Sequence, residues 1–251
     1  YANYNDPNEL MDQYSADALR FLLLSSPLLN GEDFSLIDKD VSDVARKLGM
    51  IWNMYDFFTM FGEVEGWEWD GLLNDPMPIL SNSLDRWIVS RVHQLTDEVS
   101  EHMDGYDIPN ALEPVLPFLE DASNWYVRRS RRRFWKSGDD SDKNNAYRTL
   151  HYVLVRLSVV LAPFTPFLSE ELYRKLTGGE SVHLLDWPES SYIDDQLVTE
   201  MTRVREYINQ GLSLRATAGI KVRQPLESVI VAELPESYQE IIREELNVKS
   251  V

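Results

Sequence analysis

The sequence predicts a mainly α protein: an antiparallel helix bundle followed by a small α/β appendage. Three observations predict it. Apolar residues recur at alternating steps of three and four over four long stretches, as a helix with one buried face requires. The links between those stretches are short and polar, which places successive helices side by side. After Gly178-Gly179 the texture changes to shorter segments alternating between strand-like and helical patterns.

The elements follow in order. Asp6-Pro7-Asn8-Glu9 is a helix start, with an Asp cap, proline in the first turn and Glu three residues after the cap. A second helical stretch runs from Ser15 to Leu24 and stops at Ser25-Ser26-Pro27. Asn30-Gly31 marks a loop before a long helix whose stripe is Ile37, Val41, Val44, Leu48, Ile51, Tyr55 and Phe58. Gly62 to Pro78 is broken by glycine and proline and reads as an exposed connection. A second stripe is Leu84, Ile88, Val92, Leu95 and Val99. The next is Leu112, Val115, Leu116, Leu119, Ala122 and Tyr126, capped by Asp107 with Pro109 in its first turn. The last is Ala146, Leu150, Val153, Leu157 and Val160. Pro163 ends that helix, and Thr165-Pro166 caps and starts another that sends phenylalanines into the bundle end. Beyond Gly179, Val182–Leu185 is strand-like, Gln196–Leu214 helical, Leu226–Val231 a strand, Ser237–Leu246 a helix, and Val248 opens another strand.

Composition removes several classes of function. No apolar run approaches the roughly 18 residues of a membrane span, and no start reads as a signal peptide. Without cysteine there are no disulfides or thiolate metal sites. His93, His102, His151 and His183 are scattered without ligand spacing. Asp140-Ser141-Asp142 begins like a calcium loop but has Asn145 where glycine is needed and His151 where a bidentate Glu is needed, so it reads as a helix-capping turn. No Gly-rich phosphate loop or nucleophile elbow is present. The chain opens on Tyr1 and closes on Ser250-Val251, and reads as a piece of something longer.

Charge poses the functional question. With 24 basic against 42 acidic residues the net charge is −18, which repels polyanions at long range. Salt screens that field beyond about 8 Å, so a local basic cluster can still decide binding. One exists: Arg128-Arg129-Ser130-Arg131-Arg132-Arg133-Phe134-Trp135-Lys136. At 100° per residue, Arg129 and Arg133 lie along the edge of the apolar stripe. Arg128, Arg131, Arg132 and Trp135 face away from it, with Trp125 beside them. Arginines with an exposed tryptophan suit a phosphate backbone and an unstacked base. Chemistry alone weighs this equally against a solvated helix end whose arginines pair with the protein's own carboxylates. The candidate binding residues are Trp125, Arg128, Arg131, Arg132, Trp135 and Lys136; no catalytic or metal residue is expected.

At these residues the chain resembles the class I aminoacyl-tRNA synthetases that charge branched aliphatic amino acids, the isoleucyl enzymes among them. Tyr14-Ser15-Ala16-Asp17-Ala18-Leu19-Arg20 resembles the segment after that family's catalytic lysine loop. Ser25-Ser26-Pro27 with Gly31-Glu32-Asp33, Trp52-Asn53, Ser123-Asn124-Trp125-Tyr126 with the arginine block, and Pro163 to Tyr173 carry the rest of the likeness. Ser15 departs from it, since the family commonly has glycine there; an ordinary helical conformation is expected at this position. The resemblance implies a stem-contact segment over 1–36, an anticodon-binding bundle over 37–178 and part of a C-terminal α/β junction module over 179–251. It further implies tRNA(Ile) and the rest of the same synthetase chain as partners. The full-length protein would be a cytoplasmic, monomeric, ATP- and Mg2+-dependent isoleucine-tRNA ligase, with no cofactor or catalytic site on these residues. The alternatives are a valyl-tRNA synthetase and a helical protein-interaction scaffold.

Overall fold

Asp6 starts the first helix as its chemistry demands. Its carboxylate accepts from the Asn8 backbone N–H at 2.9 Å and Pro7 fills the first helical position, opening α1 (Pro7–Tyr14). The computed structural model describes residues 6–135, 140–232 and 234–251. Contacts divide the chain into two compact units, one running to Ile193 and one spanning Asp194–Val251.

In the first unit α2 (Ala16–Leu24) follows α1 directly. The residue between them, Ser15, has φ 98° and ψ 150°, not the expected helical conformation. That region is essentially reserved for glycine, which explains why glycine suits this position. Ser15 compensates in part by capping α2, its hydroxyl accepting from Ala18 N–H at 3.2 Å. α3 (Asp38–Glu65) is the longest helix, and Gly66 ends it with φ 66°. Ile37 is its exposed N-cap residue and Tyr55 is half-buried; Met54 and Phe57 occupy the core instead. α4 (Ser83–Asp104) is capped by Asn82. The next run is segmented: α5 (Ile108–Leu112), α6 (Val115–Glu120), a π-helical stretch Asp121–Val127, α7 (Arg128–Ser130) and a 3-10 turn Arg131–Phe134. α8 (Asp140–Leu161) and α9 (Pro166–Thr177) complete the expected bundle. Most of the stripe residues read from the sequence form its core, with Val41, Ile51, Ile88, Val92, Val115, Leu119, Ala146 and Leu150 fully buried.

Four expectations need correction. The 62–78 connection is not simply exposed. Trp67 donates from Nε1 to Asn144 Oδ1 at 2.9 Å and stacks on Tyr147, Trp69 lies on His151, and Met77 is buried. Val182–Leu184 is a 3-10 turn, not a strand, because Glu170 accepts from the Ser181 hydroxyl and the Val182 N–H and winds the backbone. Thr165 makes no side-chain cap for α9. The cap comes from Asp17 on α2, whose carboxylate accepts from the Phe167 and Leu168 N–H groups at 3.4 and 2.6 Å. Only Phe164 enters the core there, while Phe167 is exposed. The contact division between the two units falls after Ile193. Residues 182–192 are held on the bundle by bonds from Arg156 to Glu189 O, from Trp187 to Ser100 Oγ, and between His93 and Tyr192 O.

The second unit is the expected α/β module. α10 (Asp195–Thr217) packs Met201, Val204 and Ile208 against Tyr238, Ile241 and Ile242 of α11 (Glu236–Leu246). Gly211 leaves room for Leu246, whose side chain would have to shift to admit a Cβ there, the nearest methyl lying at 2.6 Å. β1 (Leu226–Ser228) pairs in parallel with β2 (Val248–Ser250), Leu226 opposite Val248. Among the described residues, no helix is long and apolar enough to cross a membrane.

Candidate nucleic-acid interface

The arginine block does not ride on a uniform helix. The chain turns as a π-helix over Asp121–Val127, then closes to a 3-10 turn over Arg131–Phe134. A π-helix bonds i to i+5 and advances less than 100° per residue, whereas the 3-10 turn advances more. The first change turns Trp125 inward: it is 7% exposed, not the open ring expected from α geometry. Its ring serves the arginines from below. The Arg128 and Arg129 guanidinium carbons lie 5.7 and 5.5 Å from its centroid, and Arg128 Nε donates to Asn124 O at 2.8 Å.

Arg133 behaves as the edge residue the pattern predicted. It turns inward and grips the fully buried Asp85 with two bonds of 2.7 Å, while Asp142 takes a further pair at 2.7 and 2.8 Å. Tyr126 donates to the same Asp85 at 2.8 Å. Burial, first, and the Asp85 charge, second, push the Tyr126 hydroxyl well above its ordinary range, so it stays a donor. The hydrogen bonds to Asp85 and Asp142 hold the Arg133 pKa above its ordinary value against the opposing effect of burial. This network pins the end of the arginine segment to α4 and α8.

The other arginines point away. Arg131 and Arg132 are exposed and make no ion pair among the described residues. Arg131 lies over the Phe57 ring at 5.5 Å, and Arg128 is exposed beside it. Trp135 is 42% exposed and packs on Phe61 of α3 with centroids 5.0 Å apart. Lys136 lies outside the described residues. Between α3 and the arginine segment runs a groove of about 480 Å³, bordered by Asn53, Met54, Phe57, Ser123, Arg128 and Arg131. The α3 wall was not among the candidate residues. Its signals were the Trp52-Asn53 pair and the aromatic spacing of Phe57 and Phe61.

The arrangement offers exposed arginines and a partly open indole on the segment that forms one wall of the groove. A family model described as the anticodon-binding domain of tRNA ligase matches residues 85–231. The chain belongs to this family. Every candidate residue lies inside the match, and the α3 wall lies before it.

Curated relatives of this anticodon-binding domain are isoleucine--tRNA ligases. That of Protochlamydia amoebophila is 37% identical over 262 residues, covering 99% of this chain and 25% of its own length. The Treponema denticola protein is 36% identical over 271 residues and the Chlamydia trachomatis serovar L2 protein 40% over 261, with the same coverage. The chain thus spans about a quarter of the length of these relatives. Among solved structures, the ternary complex of Agrobacterium radiobacter K84 agnB2 LeuRS with tRNA and LeuAMS aligns with a TM-score of 0.52 at 18% identity. It covers 77% of this chain and 21% of that one, and shares the fold.

Proposed function

We propose that this anticodon-binding domain holds the anticodon stem-loop of tRNA(Ile) as part of an isoleucine-tRNA ligase. The observation that carries the proposal is the groove between α3 and the arginine segment. Arg131 borders it, and Arg131 and Arg132 stand without ion pairs among the described residues on the segment that also carries the half-open Trp135, in a protein that outside residues 128–136 has 18 basic residues against 42 acidic ones. Arg128, Arg131 and Arg132 neutralise phosphates, and Trp135 stacks on an unstacked base. Trp125, being buried, positions Arg128 and does not itself reach the tRNA. The relatives' names favour the isoleucyl reading over the valyl one, and the family match speaks against a protein-interaction scaffold.

In the full-length ligase, ATP and Mg2+ would activate isoleucine on residues other than these. Among the described residues no group of three His, Asp or Glu could hold a metal ion, and the sequence has no phosphate loop. A monomeric, cytoplasmic enzyme fits this reading.

The test is a titration of the domain with isoleucine and valine tRNAs across a salt series. Each phosphate neutralised contributes about −0.7 to −0.9 to the slope of log affinity against log salt. Replacing Arg128, Arg131 and Arg132 together with Ala weakens binding and flattens that slope by roughly two units. Equal affinity of the triple variant and the parent at low salt would remove the groove from tRNA recognition.

A further inference from the structure

The π-helical stretch Asp121–Val127 is tied down at both ends. Where it starts, Glu120 pairs with Lys47 of α3 at 3.2 Å and Asp121 with Arg91 of α4 at 3.1 Å. Near its end the fully buried Tyr126 donates to Asp85 at 2.8 Å. Seven residues of π winding inside a helical run are unusual, and such turns frequently lie at functional sites.

The winding changes what one carbonyl does. The Arg128 backbone N–H donates to Ser123 O, five residues back, and to Trp125 O, passing over the Asn124 carbonyl that an α-helix would use. Asn124 O accepts instead from the Arg128 side chain, whose Nε lies 2.8 Å away. The same wider turn brings Trp125 inside, with the Arg128 guanidinium carbon 5.7 Å from its ring centroid. A backbone carbonyl and an indole therefore hold a side chain that is still exposed. Ser123, Arg128 and Arg131 border the groove opposite Asn53, Met54 and Phe57 of α3. A long arginine loses rotamer freedom when a ligand orders it, and one that is held beforehand loses less.

We infer that the π-helical stretch is a positioning element for tRNA, in which the main-chain carbonyl of Asn124 presets Arg128 for a phosphate. The inference rests on the reading of the groove given above. α winding would return that carbonyl to the helix and leave Arg128 to be ordered by the tRNA itself.

Deleting Asn124 makes that change. In the shortened chain Ser123 stands four residues before Arg128, so the bond between Arg128 N–H and Ser123 O becomes an α-helical one and the aiming carbonyl is gone. The variant is expected to unfold in urea no earlier than the parent chain. Its affinity for tRNA(Ile) should fall about two- to tenfold, the effect of having to immobilise one long side chain on binding. The salt slope should stay as it is, because Arg128 still meets its phosphate, whereas Arg128→Ala flattens the slope by about one unit. In the Arg128→Ala background the deletion should cost no further affinity.

Equal affinity of the deletion variant and the parent overturns the inference. So does a flattened slope, since the π turn would then place the whole segment and not aim one side chain. A further loss in the Arg128→Ala background overturns it as well, because the turn would act through another residue. A second measurement needs no deletion. In the 15N-labelled parent, the Arg128 Nε–H should exchange with solvent about tenfold more slowly than those of Arg131 and Arg132, each assigned by its loss on substitution with Ala. Equal exchange rates overturn the inference even if the deletion variant fails to fold. If the parent does not bind tRNA, or binds as tightly without its three arginines, the reading of the groove fails and this inference with it, whatever the exchange rates show.

Discussion

The inner and outer sides of the arginine segment use the same side chain for opposite ends. Inside, Arg133 has its bonds filled by Asp85 and Asp142, and Asp85 also takes the Tyr126 hydroxyl. Outside, Arg131 and Arg132 have no ion pair among the described residues, and Trp135 is left half open. A saturated guanidinium fixes the fold, and an unsaturated one on the surface is available to a ligand. The lesson is that a basic run must be divided by partner before it is assigned a role.

The largest expected effect tests the inner side. Arg133→Ala leaves Asp85 buried without its counter-charge, which costs about 3–5 kcal/mol. Urea unfolding followed by circular dichroism measures it. A loss under about 1 kcal/mol would show that Asp85 is neutralised in some other way, and the contrast between the two sides would fail.

The outer side should respond in binding and not in stability. Trp135→Ala is expected to weaken tRNA binding by about 1–3 kcal/mol while leaving the salt slope unchanged, because stacking releases no counterions. Filter binding at several salt concentrations separates the two quantities. A changed slope would mean that losing the indole displaces a neighbouring arginine.

Much of this division was legible in the sequence, and the reasons for the misses are physical. Helical periodicity placed Arg133 at the edge of the core and Arg131 and Arg132 away from it, because stripes such as Leu112, Val115 and Leu119 are regular enough to count along. Trp125 was misplaced because counting assumes α geometry, and a π-helical stretch inside the run shifts the phase of what lies within it. Asn53, Phe57 and Phe61 were missed as the second wall because tertiary packing, not spacing, brings α3 beside residues 128–135. The Asp17 cap on α9 joins residues about 150 apart in sequence, and no local pattern signals it.

Buried histidines extend the comparison to the rest of the bundle. Arg156 Nε donates to the Tyr152 hydroxyl, which partners His93 Nε2 at 2.9 Å, and His93 Nδ1 faces Tyr192 O at 3.3 Å. His151 Nε2 bonds Leu176 O at 3.0 Å. Burial is the main influence on both rings and lowers their pKa below the ordinary 6.5. The unfolded chain therefore binds protons that the folded state resists, so stability is complete above about pH 6.5 and declines as pH falls through that value toward the folded pKa values. The slope is at most about 1.4 kcal/mol per pH unit for each ring. Unfolding midpoints at pH 7.5, 6.5 and 5.5, compared with His93→Gln, should show a shallower decline in the variant. An equal decline would mean that His93 is protonated in the folded state as readily as in the unfolded one.

The smallest effect concerns how an inner anchor is aimed. Ser15 sits two residues before Asp17 in a backbone region that costs a non-glycine residue about 1–3 kcal/mol. Its hydroxyl offsets part of that cost by capping α2, and replacing a serine cap with glycine loses only a few tenths of a kcal/mol. Glycine also widens the unfolded ensemble, which removes a further 0.5–1 kcal/mol or so. The balance for Ser15→Gly is a gain of about 0.5–1 kcal/mol, with the Asp17 carboxylate still accepting from Phe167 and Leu168. Asp17→Asn should lose stability instead, because the α9 N-terminus then faces an uncharged cap. Paired thermal melts of the two variants decide the matter. If Ser15→Gly destabilises as Asp17→Asn does, the serine hydroxyl is the anchor at this joint and the positive φ costs the fold nothing.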